Sequence, residues 1–506
     1  MPESLQHSLI IAYMLPAIGL MLFGLNLYVL TFLFLRKKKK NLAVSNQDFS
    51  GIEEWPDVLT QVPIYNEYNV IERCLRACAE MEYPEGKHTI QVLDDSTDAT
   101  SELVKRIAAE LNEHGHRIEI IQREDRTGFK AGAMDHALNL NTAAYIAIFD
   151  ADFVPPKDFL KRTVSTLLKQ PELGLVQARW GHLNPDESLL TRAQAMGIDG
   201  HFAIEQPARA WNDLFMNFNG TAGLWRRQAI EDAGGWQHDT LTEDMDLSYR
   251  SQLAGWPCAF LWDLEAPAEL PNDIIAFKSQ QFRWAKGSIE TAIKLLPRVC
   301  KAKDKSLFSK VQSVAHMTHY MIHPFMVWMA LLALPVVQFT WLNKFPVEMS
   351  TIFCAILIGT IAPTFMYSIA QQHLYPKGWK RIVIIPFLSC IGIGIAISNT
   401  RAVFEALIGK KSAFIRTPKK GENNTMSYKV KMPVLPILEI ALGIYSFYTF
   451  FFYMQNDRIL LLPFMFIYAC GFSLVGIMSL HQTLKGKIPT IRRRKKTMPA
   501  FEPQKA

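Results

Sequence analysis

Hydropathy divides this chain into three stretches, and that division limits its fold more than any other feature. Residues 8–35 and 316–481 are mostly apolar, whereas residues 44–300 are charged and mixed. Ser8–Leu35 exceeds the roughly 20 residues that cross a bilayer as a helix. The basic run Arg36–Lys40 follows it and none precedes it, which reads as a start-anchor with its C-terminal end in the cytosol, not a cleaved signal. Further apolar spans are expected at about His316–Trp341, Thr351–Ala370, Ile382–Ser398, Val434–Met454 and Ile459–Leu480. The segments Lys377–Arg381 and Lys410–Lys431 are both basic and so both read as cytosolic. Ile382–Ser398 between them is then unable to cross completely, and its Pro386, Gly392 and Gly394 fit a kinked or re-entrant segment. The expectation is five full crossings plus this segment, with the C-terminus inside.

The resulting organisation is an anchor (1–40), a cytosolic domain (41–272), an amphipathic interface helix (273–301), a membrane region (302–481) with a loop at 413–420, and a basic cytosolic tail (482–506). The net charge of +7 does not imply a nucleic-acid partner. Its densest runs, Arg36–Lys40 and Arg492–Lys496, lie just beyond membrane spans, where they set topology and attract anionic lipid. The seven cysteines form no CxxC pair and read as reduced thiols.

In the middle stretch, strands and helices alternate. Strands are expected at Val58–Val62, Ile90–Leu93, Ile118–Ile121 and Ala144–Phe149, with helices at Val70–Met81, Ser101–Glu113 and Ala131–Asn139. Such alternation predicts a parallel α/β sheet, whose ligands sit at the carboxyl ends of the strands. Asp94 and Asp150 both fall there. Gln280–Val299 carries Ile289, Ala292, Ile293 and Leu296 at helical spacing and reads as a helix lying in the interface.

Four motifs carry chemistry. DAD at Asp150–Asp152 puts two carboxylates on one side of an extended chain, a hard-oxygen pair suited to Mg²⁺ or Mn²⁺ beside a diphosphate. In DDSTD, Asp94 and Asp95 are adjacent like charges that need a cation or a donor, and are assigned to nucleotide or metal contact, while Asp98 or Ser101 can cap the next helix. In TED, Asp244 is placed to act as base toward a sugar hydroxyl, with Thr242 as a candidate N-cap. In QQFRW, Arg283 can bind a diphosphate bidentately and Trp284 can stack on a sugar ring; an interfacial membrane Trp is the alternative. His316, His319 and His323 share one helix face, which suits a cavity wall better than a zinc site.

VPIYNE (Val62–Glu67), DDSTD, RTGFKAGA (Arg126–Ala133), FDADFVP (Phe149–Pro155), VQARW (Val176–Trp180), FNGTAGLWR (Phe218–Arg226), TEDMDL and QQFRW occur in that order. In this the chain resembles the processive family 2 glycosyltransferases, and among them the cellulose-synthase-like A and C enzymes that make β-1,4-mannan or β-1,4-glucan. The resemblance implies a Rossmann-like GT-A domain set between transmembrane helices of a multi-pass membrane protein. It also implies an inverting transfer and a divalent metal on Asp150 and Asp152. By position, Tyr65, Glu67, Asp94 and Lys130 match the nucleoside-holding residues. Asp150 and Arg283 match diphosphate contacts, and Asp244 the base. Phe218, Gly220, Thr221, Gln280 and Trp284 match the acceptor site. FIRTPKK resembles a gating loop through Phe414, Thr417 and Lys419, although Arg416 departs from the Val of that motif. The expected partners are a nucleotide sugar (UDP-glucose or GDP-mannose), the growing polysaccharide and the bilayer, in an inner, plasma or Golgi membrane. A glycolipid-forming transferase is the alternative enzyme, and a transporter with a degenerate transferase domain the alternative class; the intact carboxylates argue against the latter.

Overall fold

A computed structural model describes residues 2–43, 49, 52–339, 347–412, 419, 421, 435–457 and 459–485. The first apolar span is part of one helix, Glu3–Ala43, which continues through the basic run. It packs along the helices Ile322–Phe339 and Val347–Leu374. At Gly24 a β-carbon would lie 2.0 Å from the carbonyl oxygen of Gly359, so these two glycines let the backbones meet.

The soluble stretch folds around seven strands: β1 (Val58–Ile64), β2 (His88–Asp94), β3 (Ile118–Ile121), β4 (Tyr145–Ile148), β5 (Leu175–His182), β6 (Gly223–Arg226) and β7 (Cys258–Ala268). Their order is β3-β2-β1-β4-β6-β5-β7. The first four are parallel, as the alternation predicts. Beyond them the sheet is mixed: β6 runs antiparallel to both β4 and β5, and β7 parallel to β5. The short strand Gly223–Arg226 follows the Leu189–Ala210 helical segment and the Asn217–Ala222 turn, and enters the sheet running opposite to β4 and β5. Phe149, Phe159, Val176, Leu224 and Ala266 pack one face, and Ile146, Ile148, Trp225 and Leu247 the other.

Among the described residues, four helices are long and apolar enough to cross a membrane: Glu3–Lys39, His319–Phe339, Leu435–Gln455 and Leu462–Leu484. A further pair, Gly378–Gly394 and Ala396–Leu407, is bent by 44°. That break falls within the segment expected to kink. The Val347–Leu374 helix covers the span expected at Thr351–Ala370.

The amphipathic helix expected at 273–301 is one long element. It runs from Ile274 to Lys301, and Asp273 caps it by accepting from the Ala276 amide at 2.7 Å. Another helix runs unbroken from Leu189 to Ala210 with one π turn at His201–Glu205, facing the site described below. Such turns recur at functional positions.

Candidate active site

The carboxyl ends of β1, β2 and β4 open into a pocket of about 180 Å³ lined by Tyr65, Glu67, Asp95, Lys130, Asp150 and Asp152. Gly220, Asp244, Gln280, Arg283, Trp284 and Lys419 complete it. The DAD carboxylates are each met by a lysine. Lys130 Nζ lies 2.5 Å from Asp150 Oδ1 and donates to the Gly220 carbonyl at 2.8 Å. Lys419 Nζ lies 2.7 Å from Asp152 Oδ2. Among the described residues no three His, Cys, Asp or Glu side chains form a preformed metal cage. Two carboxylates at a strand end, open to a ligand pocket, fit a hard cation whose shell substrate phosphates complete.

Asp244 stands in the first turn of the Glu243–Leu253 helix. Its Oδ1 accepts from the Met245 amide at 2.8 Å. Its Oδ2 faces Gly220, where a β-carbon would lie 3.0 Å from it; with φ at +81°, that position requires glycine. Burial, then the neighbouring Glu243 charge, push the Asp244 carboxyl up to about 7, against the pull of Lys130. Glu243 is raised as well, by burial first. Burial pulls the Lys130 ammonium down, but Asp150, Glu243 and Asp244 more than offset it and the net movement is upward. Arg283 sits in the field of four carboxylates: Glu243, Asp150, Asp244 and Asp152.

Close packing brings TED and QQFRW together. At Gly287, one turn beyond Trp284, a β-carbon would lie 2.6 Å from Thr242 Cγ2 and 2.8 Å from its amide nitrogen. Thr242 itself does not cap its helix; its hydroxyl pairs with Thr291 Oγ1 at 3.1 Å. Asp98 does not occupy the N-cap position, which is Ala99; it accepts from the Thr100 amide at 2.9 Å in the turn that leads into the helix.

Three assignments change. Asp94 does not border the pocket: it is 3 % exposed, and its two oxygens accept from the Ser96 amide and the Gln122 side chain. It shapes the strand-end turn, while Asp95 lines the pocket with its oxygens held by Arg123. Phe218 and Thr221 do not line this pocket either. Phe218 is fully buried against Trp225. Thr221 Oγ1 accepts from the Asp150 amide at 2.9 Å and so fixes the DAD turn. Of FNGT, Asn219 and Gly220 reach the pocket. Phe414 and Thr417 lie outside the described residues.

A second cavity, of about 840 Å³, starts at Asp244, Gln280 and Trp284 and runs among the membrane helices as far as Tyr13, Tyr453 and Tyr468. Its near wall carries Asn219, whose amide meets His201 Nε2 at 3.1 Å, while His201 Nδ1 meets Glu205 at 2.9 Å. No spacing marks His201 and Glu205 in the sequence; they reach the wall through the π turn. His316, His319 and His323 all line this cavity. His316 pairs with the Tyr249 hydroxyl at 2.8 Å and His323 with the Asn399 amide at 2.9 Å.

A mixed sheet carrying DAD at a strand end, with the TED carboxylate Asp244 and QQFRW beside it beneath a membrane bundle, defines a GT-A glycosyltransferase. Residues 56–287 match the family model described as glycosyltransferase like family 2. A probable glucomannan 4-beta-mannosyltransferase 7 of Oryza sativa subsp. japonica is 43% identical over 279 residues, covering 54% of this chain and 48% of the relative. A probable glucomannan 4-beta-mannosyltransferase 11 of Arabidopsis thaliana is 32% identical over 457 residues, covering 87% and 99%. The chain therefore belongs to glycosyltransferase family 2, among relatives named as glucomannan 4-beta-mannosyltransferases. It spans about half the length of most of these plant relatives. A mannosyltransferase of Pyrobaculum calidifontis, solved with GDP-Man and Mn²⁺, aligns at 18% identity and a TM-score of 0.49 over 78% of this chain and all of that one.

Proposed function

We propose that this protein is a processive, inverting β-mannosyltransferase that draws on a cytosolic nucleotide sugar, GDP-mannose, and passes its growing polysaccharide into the membrane. One observation carries the reading: Asp244, Gln280 and Trp284 line both the donor pocket and the cavity between the membrane helices. A sugar chain end held at Trp284 would thus meet the donor at Asp244, with the product already facing the membrane. The glycolipid alternative requires no such continuity.

Each role follows from position. An acceptor hydroxyl attacks the anomeric carbon from the cavity side. The new glycosidic C–O bond forms as the sugar–phosphate bond breaks, and Asp244 takes the hydroxyl proton. Arg283, Lys130 and Lys419 place positive charge around the leaving diphosphate. Mg²⁺ or Mn²⁺ held by Asp150 and Asp152 supplies further charge stabilisation when bound. Trp284 offers the sugar's C–H face an aromatic surface.

Residues 41–300 face the cytosol in this reading, where nucleotide sugars are made. An exposed Glu113→Cys should resist impermeant thiol reagents in intact cells and react after permeabilisation; labelling in intact cells would reverse the orientation. The activity itself is tested by offering the purified protein labelled GDP-mannose, UDP-glucose or UDP-N-acetylglucosamine, with linkage analysis. Long β-linked mannan from GDP-mannose is expected. Incorporation from UDP-glucose alone would refute the donor, and a single sugar on lipid would refute the polymerase.

A further inference from the structure

The sheet order orients the donor. Tyr65 and Asp95 follow β1 and β2, Asp150 follows β4, and Gly220 precedes β6, with Asp244 beyond it. With the roles proposed above, the phosphates would lie near β4 and the sugar near Asp244, which would leave the β1–β2 end for the nucleobase. Arg126 lines the pocket at that end. Its guanidinium carbon lies 3.3 Å over the Tyr65 ring, and the Phe129 ring centroid is 5.2 Å away. Asp95 is 3.8 Å from its Nε, beyond hydrogen-bond reach, and that Nε is buried without a partner. Asp95 instead accepts from Arg123 at 2.5 and 3.1 Å. Arg126 is thus a planar cation, held flat by an aromatic ring, with no hydrogen bond from its guanidinium to any described residue. Two other cations of the pocket, Lys130 and Lys419, are engaged by the DAD carboxylates.

We propose that Arg126 is a specificity-determining residue that selects a guanine base by donating two parallel N–H groups to its O6 and N7. This rests on the GDP-mannose reading above. The chemistry is discriminating: guanine and hypoxanthine present two adjacent acceptors on that edge, adenine places an amino donor beside N7, and uracil has no N7 at all. A lysine, with no planar fork, cannot substitute.

The test is equilibrium binding of GDP, IDP, ADP and UDP to the full chain in nanodiscs, for the wild type, Arg126→Met and Arg126→Lys. Wild type should bind GDP and IDP alike, and ADP and UDP roughly 10–100-fold more weakly. Both variants should weaken GDP and IDP to the ADP level while changing ADP and UDP less than about 3-fold. Equal weakening of all four diphosphates would make Arg126 a phosphate contact and overturn the proposal, as would a guanine preference retained by both variants. A wild type that prefers UDP would overturn the GDP-mannose reading itself, so the two failures are distinguishable.

Discussion

Replacing Asp244 with Asn should cost activity and yet stabilise the folded protein at high pH, and both effects follow from one carboxyl. As base, Asp244 must be ionised, so turnover should rise with pH through about 7 and level off above it. Asp244→Asn keeps the shape but cannot take the proton, and should lose roughly 10²–10⁴-fold in turnover together with this pH dependence. The stability effect has the opposite sign. A carboxyl raised from the ordinary value near 3.9 to about 7 opposes folding when ionised: by nothing below pH 4, increasingly up to pH 7, and fully above it. Full transfer of that shift would be about 4 kcal/mol. Asp244 is only part-buried and borders a cavity, where water screens it, so a gain of about 1–2 kcal/mol is expected at pH 8 and none at pH 4. Glu243→Gln removes the adjacent repulsion and should move the acid limb of the rate profile down by about one pH unit. Thermal unfolding of both variants at pH 4 and 8, beside pH–rate profiles, checks all three effects. An Asp244→Asn protein that keeps more than about a tenth of wild-type turnover, or is less stable than wild type at pH 8, would refute the reasoning.

Other sites yield further outcomes. Gly220→Ala forces a β-carbon at positive φ to within 3.0 Å of Asp244 Oδ2; turnover should fall at least tenfold while nucleotide binding, measured separately, changes less. Lys278 and Glu439 form a fully buried ion pair that ties the QQFRW helix to the Leu435–Gln455 helix. Glu439→Gln should destabilise by about 3–5 kcal/mol by leaving the lysine uncompensated, whereas Lys278→Met with Glu439→Leu should be near neutral, as read by thermal unfolding. Thr221→Val leaves the Asp150 amide without its acceptor, which should cost about 1–3 kcal/mol of stability and raise the donor KM.

The sequence showed most where local pattern and chemistry coincide. Period and turn residues placed β1 to β4 and put Asp150 at a strand end. The TED and QQFRW motifs pointed to residues that do converge, because Gly287 lets their two elements touch. It showed least where a residue's role depends on which way a side chain turns. Asp94 and Asp95 are neighbours in a run of acids, yet alternation along the strand end turns Asp94 into the fold and brings Asp95 to the pocket wall. Phe218 and Thr221 sit in the acceptor motif but face the core, because the chain turns at Gly220 before entering β6. The antiparallel β6 has only four residues and no alternation to announce its direction. His201 and Glu205 depend on a π turn that no spacing reveals.

The central claim is that the transfer site opens directly into the membrane cavity, so synthesis and passage are one process. Sealed inside-out vesicles containing this chain, given labelled GDP-mannose from outside, test it most directly. Long β-linked polymer is expected in the lumen, resistant to added mannanase until detergent breaches the bilayer. Product digestible without detergent, or label found only as a single sugar on lipid, would contradict it.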